Sequence, residues 1–217
     1  MNAVNTSSVQ RIIGIFGGTF DPIHNGHLQM AREAQQSLGL NEVCFVPCHQ
    51  PPHRDTPQLS SEQRLTLLDM ALDNQSGFTR NDLELHRQGP SYTVDTLGAL
   101  RAQYGPRVSL VLLMGADAFA QLLSWHQWQR LRDLAHIAVM TRPGTVLPVV
   151  GTLGEWLAKA DSVQVVHQQP AGGLTVLQQS LLDISATAIR ETLASGQHSA
   201  DLPSEVAEYI KQYQLYR

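Results

Sequence analysis

The chain has 217 residues, of which 42% are hydrophobic and 16% charged, and this length predicts one globular domain with a small appendage. The net charge of −4 argues against a protein that coats DNA or RNA, because such proteins need a surplus of basic residues. Thirteen of the 15 basic residues are Arg, and neither Lys follows a Gly, so the Walker-A phosphate loop is absent. The G-x-G-x-x-G, H-E-x-x-H and G-x-S-x-G motifs are absent as well.

The compartment is predicted from three features of composition. Residues 1–10 lack the basic start and apolar run of a signal peptide, and we expect them to form a disordered tail. No stretch approaches the length of apolar residues that a membrane span requires. A metal site at Cys44 and Cys48 would need more ligands, and a disulfide between them would need an oxidising compartment, so two free thiols are expected. Together these features predict a cytoplasmic protein that contacts no membrane.

Short apolar runs alternate with helical patterns along the chain. The predicted strands are 11–16, 43–47, 78–87, 108–114, 136–141 and 162–167. Three predicted helices cover residues 26–38, 154–160 and 204–213. Three more begin at a capping serine: one at Ser60, one at Ser91 that runs to 103, and one at Ser185 that ends at 196. This alternation predicts an α/β fold, a Rossmann-like doubly wound parallel sheet with a small C-terminal helical subdomain.

The predicted division of the chain has three parts. Residues 1–10 form the tail, 11–182 the α/β domain and 183–217 the C-terminal helical subdomain. Ligands of such sheets bind beyond the carboxyl ends of the strands. The turns expected to carry function are therefore 17–27, 47–55, 88–93, 115–125, 141–144 and 183–190.

The turn after the first strand, GGTFDPIHNGH, is the most informative segment. Gly17 and Gly18 let a ligand approach the backbone closely. His24 and His27 stand three apart at the start of a helix, where amide groups and the helix dipole attract anions, and Gly26 leaves room beside them. This pattern predicts a phosphate site. The alternative is a tight turn in which one His caps the helix and the other is solvent-exposed.

This turn resembles the H-x-G-H signature of the nucleotidyltransferase superfamily. The segment ISATAIR, residues 184–190, resembles the second superfamily signature, I-S-[ST]-T-x-I-R, with Ala186 at its third position. Ser185 and Thr187 lie at a predicted helix N-terminus, and Arg190 points back toward the same end. Such a site suits the β- and γ-phosphates of ATP. On its own, this segment would be a plain helix cap.

Nearly the whole chain resembles the bacterial nicotinate mononucleotide adenylyltransferases, and the resemblance implies a role for each matching residue. The catalytic residues implied are His24, His27 and Arg190. The ATP-binding residues implied are Gly17, Gly18, Thr19, Gly26, Gly115, Asp117, Arg142, Ser185 and Thr187. The residues implied for nicotinate mononucleotide are Thr19, Phe20, Pro52, His53, Arg54, Ser91, Tyr92, Thr93 and Trp125. Alternatively, Ser91 is only a cap, Trp125 and Trp128 belong to the core, and residues 51–54 form a stiff surface loop. Arg142, taken alone, could equally be a solvated residue beside a Pro-Gly turn.

The implied activity joins ATP and nicotinate mononucleotide to give nicotinate adenine dinucleotide and pyrophosphate, in NAD biosynthesis. Mg²⁺ is expected to be carried with ATP rather than held in a protein metal site, and Asp21 is expected to brace the first turn. We expect a monomer or small homo-oligomer that binds no nucleic acid. The alternatives are a nucleotidyltransferase acting on nicotinamide mononucleotide, phosphopantetheine or glycerol phosphate, and a non-catalytic nucleotide-binding regulatory module.

Overall fold

The structure is a computed structural model that describes residues 9, 11–52, 56–180 and 184–217. Within these ranges the strands are β1 (Arg11–Gly18), β2 (Glu42–Pro47), β3 (Phe78–Arg80), β4 (Val108–Gly115), β5 (His136–Thr141) and β6 (Leu174–Gln178). All neighbouring strands pair in parallel, in the order β3-β2-β1-β4-β5-β6. This is the strand order of a doubly wound sheet, and it confirms the predicted fold class.

Helices connect the strands on both faces of the sheet. They are α1 (Asn25–Leu38), α2 (Ser61–Leu72), α3 (Thr93–Tyr104), α4 (Ala116–Ala120), α5 (Leu131–Leu134), α6 (Gly151–Leu157), α7 (Val165–Gln168), α8 (Ala186–Ala194) and α9 (Ser204–Gln212). Two 3₁₀ turns, Leu122–Ser124 and Trp128–Arg130, lie between α4 and α5. In the part of the chain that the structure describes, no helix has both the length and the apolar character that crossing a membrane would require.

Several predicted helix ends agree with the structure. Helix α1 ends at Leu38 with Gly39 as its C-cap, and Ser60 is the N-cap of α2, with the expected capping box to Gln63. Helix α6 begins three residues earlier than predicted and ends at Leu157. Helix α3 was expected to be capped by Ser91, but its N-cap is Tyr92.

Two strand predictions were wrong. Residues 165–168 form helix α7 instead of a strand, and the sixth strand lies further along, at Leu174–Gln178. A short apolar run such as Val163–Val166 does not distinguish a buried helical turn from a strand. The predicted strand 78–87 ends at Arg80, because the side chain of Asn81 accepts a hydrogen bond from the amide of Leu83 and turns the chain.

The sheet is buried on both faces, and β1 shows how. Ile12 and Phe16 pack into one hydrophobic cluster, whereas Ile13 and Ile15 pack into the other. This alternation follows from the two-residue period of a strand, and it explains why the strand is apolar throughout. Helices α8 and α9 contribute to the first of these clusters, so their apolar faces are continuous with the core of the sheet.

The strand order determines where a ligand can bind. β1 is paired with β2 on one side and β4 on the other, and the connections leave these strands in opposite directions. A crevice therefore opens between the carboxyl ends of β1 and β4, at Gly17 and Gly115.

Candidate active site

A cleft of about 330 Å³ begins at this crevice and extends to the start of α3. Its walls come from the ends of β1, β2 and β4, from the loop after β2, and from residues around Trp125. The residues predicted from the sequence that line it are Gly17, Gly18, Thr19, His27, Pro52, Ser91, Tyr92, Thr93, Gly115, Asp117 and Trp125. The structure thus gathers residues from four of the predicted functional turns around one cavity.

The two histidines of the first turn lie against each other at the start of α1. Their rings stack with centroids 3.6 Å apart and planes 23° apart. The backbone N–H of His24 donates to Nδ1 of His27 over 3.3 Å. A neutral His27 that accepts at Nδ1 carries its proton on Nε2, so it is a hydrogen-bond donor at that atom. His27 also lines the cleft, whereas His24 lies behind it.

His24 is the buried member of the pair. Its side chain belongs to a residue only 5% exposed, and within the described residues its Nδ1 has no hydrogen-bond partner. Burial, followed by the charge of Arg142, lowers the pKa of His24 to about 4. His24 is therefore neutral near pH 7. The alternative prediction is correct in one part, because His24 is the N-cap residue of α1, and wrong in the other, because His27 is half-buried rather than solvent-exposed.

Gly26 and Gly17 have different reasons for lacking a side chain. A Cβ on Gly26 would lie 3.0 Å from Nδ1 of His24 and 3.3 Å from Cβ of Ile184, so this glycine makes room for protein atoms. The expected space for a ligand beside Gly26 is thus taken by the His24 ring. A Cβ on Gly17 would meet no atom within 4 Å, although Gly17 lines the cleft. The open space at Gly17 is where a ligand can approach the backbone.

Asp21 holds the first turn in place, as the sequence predicted. Its carboxylate is 5% exposed and accepts hydrogen bonds from the amides of Gln58 (2.7 Å) and Leu59 (3.3 Å) and from the hydroxyl of Tyr216 (2.7 Å). Its main-chain carbonyl accepts a hydrogen bond from Nη1 of Arg190 over 2.8 Å. One residue of the first signature therefore binds the loop after β2 and both ends of the C-terminal helical region.

The second signature packs beside the first turn. Ser185 is the N-cap of α8, and its hydroxyl accepts the amide of Ala188 over 3.2 Å. Arg190 reaches back along the helix, where Nη2 donates to the hydroxyl of Thr187 over 3.3 Å. These three residues do not belong to the cleft wall. The helix that carries them is joined to the first turn by the hydrogen bond from Arg190 to the carbonyl of Asp21.

The far end of the cleft is formed by the start of α3. The Ser91 hydroxyl accepts the amides of His49 (3.1 Å) and Gln50 (3.3 Å), so it joins α3 to the loop after β2 rather than capping the helix. Tyr92 packs on the ring of His126, with centroids 4.3 Å apart. Because Trp125 also lines this end, the cleft ends between a helix N-terminus and aromatic side chains.

Two further predicted site residues, Phe20 and Arg142, are described but do not line the cleft. Phe20 is 1% exposed and its ring packs edge-on to the His27 ring, so its side chain is not accessible to a ligand. Arg142 is exposed outside the cleft wall, close enough to lower the pKa of His24. His53 and Arg54 lie outside the residues that the structure describes.

Sequence reasoning missed Arg64, which lies beneath the site on α2 and is 1% exposed. Its guanidinium donates to the main-chain carbonyls of Thr19 and Cys48, the latter over 2.7 Å, and so ties together the turns after β1 and β2. A signal was present, because Arg64 stands three and four residues before the buried Leu67 and Leu68, on the apolar face of its helix.

A second set of interacting side chains that the sequence did not predict lies under the start of α3. The hydroxyl of Thr96 donates to Oε1 of the buried Glu84 over 2.5 Å, and Nη2 of Arg87 donates to the same hydroxyl over 3.2 Å. Glu84 and Thr96 both line the cleft. They connect the first turn of α3 to the segment before it, and no local pattern in the sequence marks them.

Comparison with known proteins gives concordant results. Residues 15–192 match the model of the family described as cytidylyltransferase-like. The chain is similar to the probable nicotinate-nucleotide adenylyltransferases of Dechloromonas aromatica (45% identity) and Aeromonas hydrophila (46% identity), over 94% of this chain and 97% of each relative. Its fold is similar to that of Plasmodium falciparum nicotinic acid mononucleotide adenylyltransferase complexed with NaAD, with a TM-score of 0.72, 19% identity, and coverage of 95% and 98% of the two chains.

Proposed function

The chain belongs to the cytidylyltransferase-like family and, within it, to the nicotinate-nucleotide adenylyltransferases, and we propose that its cleft joins ATP and nicotinate mononucleotide to give nicotinate adenine dinucleotide and pyrophosphate. The observation that carries this proposal is one cleft that has His27, backed by the stacked ring of His24, at one end and the N-terminus of α3 at the other. It offers one place for polyphosphate and another for an acidic acceptor.

The reaction needs no covalent intermediate. An oxygen of the acceptor's phosphate attacks the α-phosphorus of ATP, a new P–O bond forms, and the bond between that phosphorus and the α,β-bridging oxygen breaks. The bonding electrons leave with pyrophosphate. Because a phosphate monoester with a second pKa of about 6 is already ionised near pH 7, no general base is required. The protein then has to align the two phosphates and stabilise the charge of the transition state.

We assign the phosphate contacts to the first turn and the second signature. Nε2 of His27 donates to the transferring phosphoryl group, while neutral His24 supports the ring of His27 by stacking. Arg190 binds the departing pyrophosphate, because its guanidinium is permanently charged and anchored at Asp21. Ser185, Thr187 and Arg142 border the same phosphates. Gly17, Gly18, Thr19 and Gly26 shape the turn, and Gly115 and Asp117 contact the ribose of ATP.

We assign the acceptor to the far end of the cleft. The amide of Thr93, the first residue of α3 next to the N-cap Tyr92, receives the nicotinate carboxylate, since a helix N-terminus favours an anion over a neutral amide. Trp125 stacks on the pyridinium ring, whose positive charge is attracted to an indole face. Thr19, Phe20, Pro52, His53, Arg54 and Ser91 complete this half of the proposed site.

Nucleotidyltransferases use a divalent metal with ATP, and we propose Mg²⁺. Within the described ranges, no group of three or more His, Cys, Asp and Glu side chains could hold a metal ion. The carboxylate of Asp21 is already bound by three donors. These observations support a metal that enters on the phosphates of ATP, where it would neutralise charge.

The remaining proposals concern the chain as a whole. We propose that it works in the cytoplasm as a monomer or small homo-oligomer and binds no nucleic acid. We also propose the division into an α/β domain (11–182) and a helical subdomain (183–217), the latter supplying Arg190.

The test is a panel of donors and acceptors with the purified chain and Mg²⁺. ATP or CTP is mixed with nicotinate mononucleotide, nicotinamide mononucleotide, phosphopantetheine or glycerol 3-phosphate, and both products are quantified by chromatography and pyrophosphate release. We expect nicotinate adenine dinucleotide and pyrophosphate in equal amounts from ATP and nicotinate mononucleotide. A stronger reaction with another pair, or nucleotide binding without product from any pair, would contradict the proposal.

A further inference from the structure

Tyr216 follows helix α9 and turns back into the protein. The residue is 8% exposed, and its hydroxyl donates to Oδ1 of Asp21 over 2.7 Å, across 195 positions of sequence. Gln214 and Tyr216 have φ angles of 52° and 65°, in the left-handed region that residues other than Gly seldom adopt. The amide of Leu215 donates to the carbonyl of Ile210 over 3.0 Å and holds this turn. An unusual backbone conformation thus places the Tyr216 ring beneath the first turn.

Asp21 contacts Tyr216 and Arg190 through different groups of the same residue. Its carboxylate accepts the Tyr216 hydroxyl, and its main-chain carbonyl accepts Nη1 of Arg190 over 2.8 Å. Because both groups belong to one residue, the hydrogen bond from Tyr216 helps to fix the position of the carbonyl to which the guanidinium is anchored. The other donors to this carboxylate, the amides of Gln58 and Leu59, belong to the loop before α2.

The electrostatic setting keeps Tyr216 a hydrogen-bond donor. Burial and then the Asp21 carboxylate raise the pKa of the Tyr216 hydroxyl far above its ordinary value. Arg64 and Arg190 are the cationic groups that face this hydroxyl and act in the opposite direction. The hydroxyl stays protonated throughout the range in which an enzyme is assayed, so the bond to Asp21 is a constant feature of the folded protein.

We propose that Tyr216 is a positioning residue for the adenylyl transfer, acting through Asp21 on the guanidinium of Arg190. The proposal rests on the proposed function, because it assigns Arg190 to the departing pyrophosphate. It adds Tyr216, which lies in neither signature and contacts the site through Asp21. Charge develops on the leaving group in the transition state. We therefore expect loss of the Tyr216 hydroxyl to lower kcat and to leave the binding of the acceptor unchanged.

A double-mutant cycle tests the proposal. Tyr216→Phe keeps the ring and removes one buried hydrogen bond, and we expect kcat to fall about fivefold to tenfold. The KM for nicotinate mononucleotide stays within about twofold, because the far end of the cleft is unchanged. In the Arg190→Ala background, the same change of Tyr216 leaves kcat within about 1.5-fold, since the group through which it acts is gone. Tyr213→Phe, which removes a hydroxyl from a side chain 55% exposed, is the matched control and leaves kcat unchanged.

A merely structural role gives a different pattern. It would lower kcat by the same factor with and without Arg190, or lower only the melting temperature, and either result overturns the proposal. Should Tyr216→Phe not fold, Asp21→Asn, which weakens the same bond, takes its place in the cycle.

The cycle also separates this proposal from the proposed function. If the wild-type chain forms no dinucleotide, the proposed function fails. The same four variants of the cycle are then compared by calorimetry for their affinity for inorganic pyrophosphate with Mg²⁺. Loss of affinity in Tyr216→Phe that disappears in the Arg190→Ala background supports the coupling. Equal affinities of wild type and Tyr216→Phe overturn it.

Discussion

The imidazole rings of His24 and His27 lie stacked, with centroids 3.6 Å apart, at the N-terminus of α1. Two positive charges at this separation would repel, and the low pKa of His24, about 4, means that the pair carries at most one charge near neutral pH. His24 therefore acts as a neutral support, and His27 is the member that faces the cleft. This division of roles is not visible in the H-x-G-H pattern, where the two histidines are equivalent.

Substitution of His27 should affect turnover far more than folding. We expect His27→Ala to lower kcat by about 100-fold to 1,000-fold, the effect of removing one donor to a developing charge. Its melting temperature should change little, since the ring is half-buried and lines the cleft. The measurement is steady-state kinetics beside thermal unfolding, with His86→Ala, whose side chain is 75% exposed, as the control. Full turnover by His27→Ala would show that the cleft does not work through this residue.

The buried His24 makes stability depend on pH. Its pKa is about 4 in the folded protein and 6.5 in the unfolded chain, so the unfolded chain binds a proton first as the pH falls. Stability is retained above pH 6.5 and is lost between pH 6.5 and 4, by about 2 kcal/mol at pH 5. His24→Asn should flatten this slope in urea titrations at several pH values. The slope will not vanish, because burial also lowers the pKa of His136. An unchanged slope would contradict the assignment.

Arg64 is expected to be essential for stability. Replacing it with Met leaves the carbonyls of Thr19 and Cys48 without their buried donor, at a cost of about 2–4 kcal/mol. Urea denaturation measures this loss. Arg11→Met is the control, because Arg11 is half-exposed in its ion pair with Glu42 and such pairs contribute about 1 kcal/mol or less. Similar losses in the two variants would show that Arg64 does not hold the two turns together.

The two cysteines should differ in reactivity. Cys44 is buried, and burial raises the pKa of its thiol to about 11, so we expect it to be unreactive in the folded protein. Cys48 lines the cleft and should be labelled by an aromatic disulfide reagent. ATP and nicotinate mononucleotide together should slow this labelling, and Cys48→Ser should abolish it. Rapid labelling of both thiols would contradict the predicted protection of Cys44, and labelling that substrates do not slow would place Cys48 outside the substrate site.

The parts that could be predicted from the sequence are those encoded locally. An apolar strand, a glycine pair and two histidines at a helix start are contiguous, and the structure has β1, the first turn and α1 in that order. The strand predicted at 162–167 was wrong because a short apolar run does not determine whether it packs as helix or sheet.

The contacts that hold the site together could not be predicted in this way. Tyr216 and Asp21 are 195 positions apart, and only the folded chain brings them together. The surplus of Arg has a partial explanation that composition alone did not provide. Arg64 and Arg101 both direct their guanidinium groups at main-chain carbonyls inside the protein, Arg101 at those of Leu134 and Pro170. A forked cation can bind several carbonyls at once, which Lys cannot do with the same geometry.

The most direct test of the central claim compares two acceptors that differ only in a carboxylate and an amide. The measurement is kcat/KM of the wild-type chain for nicotinate mononucleotide and for nicotinamide mononucleotide, with ATP and Mg²⁺ saturating. The helix N-terminus at Thr93 predicts a preference for the nicotinate form of at least about tenfold, the effect of a favourable charge interaction of about 1.4 kcal/mol. Equal values, or a preference for the amide, would contradict the account.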